Sequence, residues 1–429
     1  MDATAVEVKG RPSEGYLAYS LTMLCLINAL NYADRSVIVI LLPHIKRDLG
    51  LSDSQAGMLT GLGFAVVYTV LGVPLARVAD RGWRVQVLAA SVAVWSAATA
   101  LCGYAGSFSS LLAARVGVGV GEAGGTAPMQ ALVSDYFRPQ ARGRAMAGLY
   151  AAGAVGSILG LALGGYLSDT SGWRSVFFLL GAPGFVVALL AFFTLRRLPR
   201  SAFSGNLAAP RQDFTAAMRE LASRKSFVHI SIGLAVSAIG VYGIGTWLPT
   251  FFVQSFGASA TKVGGLWALV SGPAMLLGIV LGGFFADRLS KKDPRWPVWL
   301  FIVGLGGVSP LYLLILLSDD FNTCLLLALP ASVLASLWIA PGMALVQNLA
   351  GARSRATAAA VFGLAINLVG LGLGPTLAGV ISDMLKPVAG DQSLRYSMCL
   401  MLLTLVYGVV HFVVAARTVR ADLQSASAA

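Results

Sequence analysis

Asp34, Arg35, Arg115 and Glu122 each lie inside a stretch of sequence that is otherwise almost wholly apolar. An ionisable side chain near the centre of a membrane-spanning helix costs roughly 2.5–3.5 kcal/mol on insertion scales, so it persists where it pairs or works. Two carboxylates and two guanidiniums can carry a proton, exchange ion-pair partners or hold an anion. Water access and partner distance would set the protonation state of each carboxylate. The segment "INALNYADRSVIVILL" (27–42) places Asn28, Asn31, Tyr32 and Arg35 at the spacing of one helical stripe. Arg115 and Glu122 are seven residues apart, two helical turns or about 10.5 Å along nearly one face. A neutral cluster that only fixes one helix to another is the structural alternative. Embedded charge more often marks a pathway.

Other chemistries fail on context. Gly119, Gly121 and Gly124 spell GxGxxG, but no strand precedes them, so they read as helix-packing glycines. Cys25, Cys102, Cys324 and Cys399 are scattered without a CxxC pair and read as free thiols. His44, His229 and His411 fall near helix ends and read as interfacial residues. With no metal-ligand spacing, nucleophile elbow or phosphate loop, the chain is not expected to be an enzyme. No metal or cofactor is expected, and the proton would be the coupling ion.

The elements that position the four charges follow from composition. Of 429 residues, 57% are hydrophobic and 12% charged, against about 25% charged in a soluble domain. The mean hydropathy of +0.76 describes a polytopic membrane protein. Twelve apolar runs have the length of spanning helices: 16–42, 54–78, 84–106, 109–134, 142–167, 173–195, 226–254, 262–286, 296–317, 322–347, 355–385 and 393–416. The first is read as a retained helix, not a cleaved signal. An even number puts both termini on one side. If that side is cytoplasmic, 23 of the 31 Lys and Arg lie inside and 6 outside, leaving Arg35 and Arg115 within helices. The net charge of +12 is thus topogenic, and no nucleic-acid partner is needed to explain it. The expected location is the inner membrane, multi-pass, with cytoplasmic termini. Asp34 and Arg35 then lie about two-thirds of the way out along helix 1. Helix 4 runs the other way and brings Arg115 to nearly the depth of Asp34, with Glu122 deeper.

The halves repeat each other. "ARVADRGWR" (76–84) answers "GFFADRLSKK" (283–292), and "ARGRA" (141–145) answers "ARSRA" (352–356). "GSILGLALGGYLSD" (156–169) answers "GLGLGPTLAGVISD" (370–383). The expected organisation is a six-helix bundle over 1–197, a cytoplasmic linker over 198–225 and a second six-helix bundle over 226–429. In the linker, Asp213 is a candidate N-cap for a short helix with Phe214, Ala217, Met218 and Leu221 on one face. That helix would lie on the membrane surface, or the segment would be a simple tether.

These motifs resemble the major facilitator superfamily over essentially the whole chain. The family's loop signature matches Ala76, Asp80, Arg81 and Arg84, and again Gly283, Asp287, Arg288, Lys291 and Lys292. The resemblance implies a conformational latch formed by Asp80, Arg81, Arg84, Asp287 and Arg288, with a carboxylate facing a helix N-terminus. Ala76 stands where glycine is usual. The helix-4 pattern matches Arg115, Gly119 and Gly121, and the helix-5 glycines match Gly156, Gly160, Gly164 and Gly165. Leu161 replaces the proline of the family's antiporters, while Gly374-Pro375 keeps it in helix 11. "NYADR" (31–35), "GVGEAGGTAP" (119–128) and "WLPTFF" (247–252) resemble the Spinster branch. The anion–cation symporter branch shares the first of these.

The resemblance implies an all-α integral membrane protein, twelve transmembrane helices in two pseudo-symmetric six-helix bundles. Helices 1, 4, 7 and 10 would line a central cavity, and the protein would be a monomer working by alternating access. The expected substrate is an amphipathic or lipid-like anion, with membrane lipid as surroundings. Asp34 is expected to be the proton site, Arg115 its exchanging partner and Glu122 a second site or relay. Arg35 would bind an anionic headgroup, with Asn31, Tyr32, Tyr150, Tyr242, Trp247, Trp338 and Asn367 as candidate substrate contacts. The alternatives are a small organic-anion/H+ symporter and, from another class, a non-transporting receptor or lipid-binding scaffold.

Overall fold

A computed structural model describes residues 13–196 and 214–428, and among these there is no strand. In chain order the helices are α1 (Glu14–Leu49), α2 (Asp53–Thr60), α3 (Leu62–Val78), α4 (Arg84–Gly103), α5 (Phe108–Ala123), α6 (Thr126–Tyr136), α7 (Pro139–Thr170) and α8 (Trp173–Thr194). Then follow α9 (Phe214–Ser223), α10 (Lys225–Phe256), α11 (Ala260–Leu289), α12 (Trp296–Phe301), α13 (Gly307–Leu317), α14 (Phe321–Ser336), α15 (Ile339–Leu364), α16 (Gly374–Ala389) and α17 (Ser393–Ala428). The boundaries have local causes. Ser13 caps α1 by accepting from the Tyr16 amide, and Gly50 ends it with φ 60, a conformation that favours glycine. Ser52 and Gln55 form a reciprocal capping box at the start of α2.

Nine continuous helical stretches among the described residues are long and apolar enough to cross a membrane. Two of them, Asp53–Gly103 with 51 residues and Thr357–Ala426 with 70, far exceed one crossing, since about 20 residues span the hydrocarbon. They are interrupted at Gly82 (φ 105) and Gly390 (φ 55). Residues 108–136 are broken at Gly124–Gly125 into α5 and α6, each too short to span alone. Each of the twelve apolar runs thus lies on helix, apart from short breaks and ends.

Within the first bundle α1 packs along α7, and α4 lies between α5 and α8. In the second, α10 packs along α17 and α16, and α11 along α14. The two bundles meet through α7 with α11 and through α2 and α3 with α16 and its preceding turns. These contacts lie at the end away from the chain termini. Glycine permits the approach: a Cβ on Gly57 would stand 2.4 Å from the Pro375 carbonyl oxygen, and one on Gly264 2.4 Å from that of Leu161. Leu161 and Pro375 are equivalent positions of the repeat, so the backbone contact survives the loss of one proline.

Helix α9 buries Ala217 and Leu221 against α15 and exposes Phe214. Arg224 donates through Nη1 to the Leu349 carbonyl and through Nη2 to Glu220 at 2.7 Å; Ser354 donates to the same carboxylate at 2.7 Å. The helix is therefore docked on the second bundle, where the sequence suggested a membrane-surface helix or a tether. The polar anchors Glu220, Arg224 and Ser354 account for the difference. The Asp213 N-cap falls outside the described residues.

Candidate functional site

The four charges gather inside the first bundle. Asp34 on α1 and Arg115 on α5 are each 2% exposed, and Glu122 is fully buried. Asp34 Oδ2 accepts a hydrogen bond from Thr99 Oγ1 of α4 at 2.7 Å. Arg35 donates through Nε to Glu122 Oε2, an ion pair between α1 and α5. The Arg35 guanidinium also lies over the rings of Tyr68 at 4.5 Å, Phe64 at 5.1 Å and Tyr32 at 5.7 Å. The Arg115 guanidinium also lies over the Phe64 ring, at 5.6 Å.

This pairing differs from the sequence expectation. Asp34 and Arg115 were expected as exchanging partners; in the structure Asp34 is held by Thr99 and the ion pair is Arg35–Glu122. The reason is helical geometry. Consecutive residues point about 100° apart, so Asp34 faces α4 while Arg35 faces Glu122 and the α3 aromatics. Buried polar atoms are normally hydrogen-bonded. Here Asp34 Oδ1, Arg35 Nη2, Arg115 Nε and Nη1, and Glu122 Oε1 have no such protein partner. The cluster thus offers two acceptors and three donors, suited to protons and to polar groups of a ligand.

The chain bends around this point. The α5–α6 break at Gly124–Gly125 follows Glu122 by two residues, and α14 gives way to α15 at Leu337–Trp338 in the second bundle. Discontinuous helices next to embedded charge are a recurrent feature of transporter binding sites. The GxGxxG glycines pack, as expected: a Cβ on Gly121 would lie 2.4 Å from the Trp95 amide nitrogen.

The candidate substrate contacts separate into two groups. Asn31 is buried beside the charges, and Asn28 ties α1 to α7 by donating to the Leu149 carbonyl at 2.8 Å. Tyr32 and Tyr150 are exposed, and Tyr150 accepts from Gln130 Nε2 at 3.1 Å. Tyr242 is half-buried beside Gly370, and Asn367 donates to the Gly363 carbonyl of its own helix at 3.0 Å. The two tryptophans are placed elsewhere. Trp247 is completely buried where the bundles meet, donating to the Pro375 carbonyl at 2.9 Å with Lys46 over its ring. Trp338 donates to the Ala335 carbonyl at 2.8 Å and stacks on Phe301 in the second bundle's core. Burial of an indole demands a partner for its N–H, and both are satisfied by backbone.

Sequence reading missed Thr99, Phe64, Tyr68 and Gln130. Thr99 and Tyr68 are single polar residues inside apolar runs, a signal shared by many helix-packing residues. Of the latch residues, Arg84 pairs with Asp135 of α6 and stands 3.9 Å from Asp80. Arg81, Asp287 and Arg288 are exposed. The second loop is tied instead by Asp293, whose carboxylate meets Arg295 at 3.0 Å and Arg420 of α17 at 3.1 Å. The Arg295 hydrogen bonds hold Asp293 at about 2. The histidines lie outside the cluster: His44 Nε2 is 3.2 Å from Asp169, and the Nδ1 atoms of His229 and His411 are 3.0 Å apart.

Comparison with known proteins agrees with this architecture. The family model described as Major Facilitator Superfamily matches residues 24–375. The chain is 34% identical over 411 residues to an MFS-type efflux pump of Mycolicibacterium smegmatis, covering 94% of each protein. It is 29% identical over 398 residues to human protein spinster homolog 1, covering 87% of this chain and 74% of that protein. The crystal structure of a bacterial homolog to human lysosomal transporter Spinster, inward-facing and unoccupied, superimposes with a TM-score of 0.86 at 29% identity over 96% of this chain and 99% of that one. The chain belongs to the major facilitator superfamily and is a multi-pass membrane transporter of the Spinster type.

Proposed function

We propose that the protein is a proton-coupled secondary transporter that moves an amphipathic, lipid-like anion across the inner membrane by alternating access. The observation that carries this reading is the Arg35–Glu122 ion pair in a cluster where five buried polar atoms of Asp34, Arg35, Arg115 and Glu122 have no hydrogen-bonding protein partner. A proton on Glu122 ends the ion pair and frees Arg35. The guanidinium then takes an anionic headgroup, for which its planar fork is suited. Departure of the anion lets Arg35 recapture deprotonated Glu122, so proton and substrate act on one switch. Asp34, held by Thr99 and near Arg115, is the second proton site. Arg115 supplies the compensating positive charge.

The surroundings suit an amphipathic molecule better than a small polar anion. Tyr32, Phe64 and Tyr68 form an aromatic wall around Arg35. With cytoplasmic termini, the closed end faces outward and the state described is inward-facing. The test is flux in proteoliposomes with an imposed pH gradient, comparing single-chain anionic lipids with small carboxylates. Gradient-driven movement of the lipids alone supports the reading. Movement of the carboxylates alone would replace it with an organic-anion symporter.

A further inference from the structure

We infer that Asp169 and Asp383 are twin latches that hold the bundles closed at the end away from the termini, each by capping the first turn of a helix in the opposite bundle. The inference rests on the alternating-access reading above. Asp169 ends α7; its Oδ2 accepts from the Thr261 backbone N–H at 2.8 Å and from Thr261 Oγ1 at 2.7 Å. Thr261 lies in the first turn of α11. Asp383, in the last turns of α16, accepts from the backbone N–H groups of Asp53 at 3.0 Å and Ser54 at 2.8 Å, and from Ser54 Oγ at 2.5 Å. Asp53 and Ser54 open α2.

The two arrangements are equivalent under the internal repeat. Each carboxylate closes one of the paired segments 156–169 and 370–383 and follows a serine, Ser168 or Ser382. Each reaches a helix whose N-cap serine, Ser259 or Ser52, already accepts from the third residue's amide. The latch aspartate supplies acceptors for amides that the cap leaves over. Four residues before each carboxylate stands a glycine. A Cβ on Gly165 would lie 2.3 Å from the Ala260 carbonyl oxygen, and one on Gly379 2.2 Å from that of Asp53. These glycines let the helix ends come close enough for the carboxylate to reach.

Each latch has its own second contact. Asp169 also meets His44 of α1 at 3.2 Å. On the other side Asp53 is held by Lys46 and accepts from Ser382 Oγ at 2.7 Å. A carboxylate at a helix N-terminus faces aligned N–H groups and the positive end of the helix dipole. Opening this end requires both carboxylates to release those groups at once. The latches therefore set the balance between the two open states. They do so from outside the Asp34–Glu122 cluster, and substrate binding does not use them.

The test uses the full chain in lipid nanodiscs. Spin labels on unnatural amino acids at Gly106 and Gln392, exposed positions of the two bundles at the closed end, report its separation. Asp169→Asn and Asp383→Asn are each expected to raise the ratio of open to closed distances about tenfold, which is about 1.4 kcal/mol. The double variant should approach a hundredfold, because distant sites add. Thr261→Val removes one hydroxyl donor without altering charge and should give a smaller shift in the same direction. Unchanged distances in a folded double variant, or no shift for Thr261→Val if the double variant does not fold, would overturn the inference while leaving the transporter intact. A wild-type protein with a single distance distribution at every pH and with every substrate would instead remove alternating access, and the latches with it.

Discussion

Glu122 should matter more for stability than Asp34, although both are buried carboxylates. Glu122 is fully buried and forms the ion pair with Arg35, whose side chain is 20% exposed. Glu122→Ala strands a largely buried guanidinium, a change that costs about 3–5 kcal/mol when a buried pair loses one partner. The stacking over Tyr68, Phe64 and Tyr32 remains, and a cation over a ring is worth about 0.5–2 kcal/mol, so the lower part of that range is expected. Glu122→Gln keeps an acceptor but loses the charge. The difference between a charged and a neutral hydrogen bond is about 1–1.5 kcal/mol. Asp34 has a neutral donor, Thr99, at 2.7 Å and stands near Arg115 without a direct ion pair, so Asp34→Asn should cost about 1 kcal/mol, less than the loss of the Glu122 charge. The assay is thermal unfolding of purified protein in detergent, at fixed pH and lipid content. The expected order of melting temperatures is wild type, Asp34→Asn, Glu122→Gln, Glu122→Ala, each step a few degrees. An Asp34→Asn protein less stable than Glu122→Ala would refute the pairing, and would restore Asp34–Arg115 as the structural ion pair.

Other predictions concern the rest of the molecule. Gly264→Val and Gly57→Val should each prevent the bundles from closing, because their side chains would meet the Leu161 and Pro375 carbonyls; cross-linking across the closed end should fall with little change in melting temperature. Trp247→Phe loses the hydrogen bond to Pro375 and should cost about 0.5–1.5 kcal/mol with the substrate panel unchanged, whereas an altered panel would return it to the cavity. Asp293, held at about 2 first by the Arg295 side chain, contributes stability that is present above the ordinary carboxylate range and lost only as pH falls toward 2. Asp293→Asn should therefore leave the pH profile of transport between 5 and 8 unchanged, as measured by flux at a series of symmetric pH values. Cysteines placed at Ser223 and at Lys262 flank α10 and should label from opposite faces of the membrane; labelling from one face would overturn the topology.

Much of the fold was legible because membrane physics leaves few solutions. Twelve apolar runs, a basic bias on alternate loops and three repeated motifs point to paired bundles, and the runs lie on helix. The four embedded charges were legible for the same reason, since hydrocarbon makes charge conspicuous. Their pairing was not. Depth along a helix can be counted from sequence, but which neighbour a side chain faces depends on helix rotation and packing, and this separated Asp34 from Arg35. Trp247 and Trp338 were illegible in another way: an aromatic residue in a spanning run has the same signature whether it lines a cavity or fills a core. Thr99 and Tyr68 are the converse, ordinary residues whose role comes from their neighbours. Helix α9 was visible as an amphipathic pattern, while its docking surface on α15 depends on Glu220, Arg224 and Ser354 meeting across distant sequence.

The central claim is that protonation of the buried carboxylates releases Arg35 for an anionic substrate. The most direct measurement is flux in proteoliposomes at several imposed pH gradients, comparing wild type with well-folded Glu122→Gln and Asp34→Asn. Both substitutions mimic a permanently protonated carboxylate. Gradient-driven accumulation should disappear in Glu122→Gln while downhill exchange of the same anion continues, and accumulation should weaken or disappear in Asp34→Asn. Wild-type gradient dependence in both variants would contradict the account and leave the cluster as a structural tie between α1, α4 and α5.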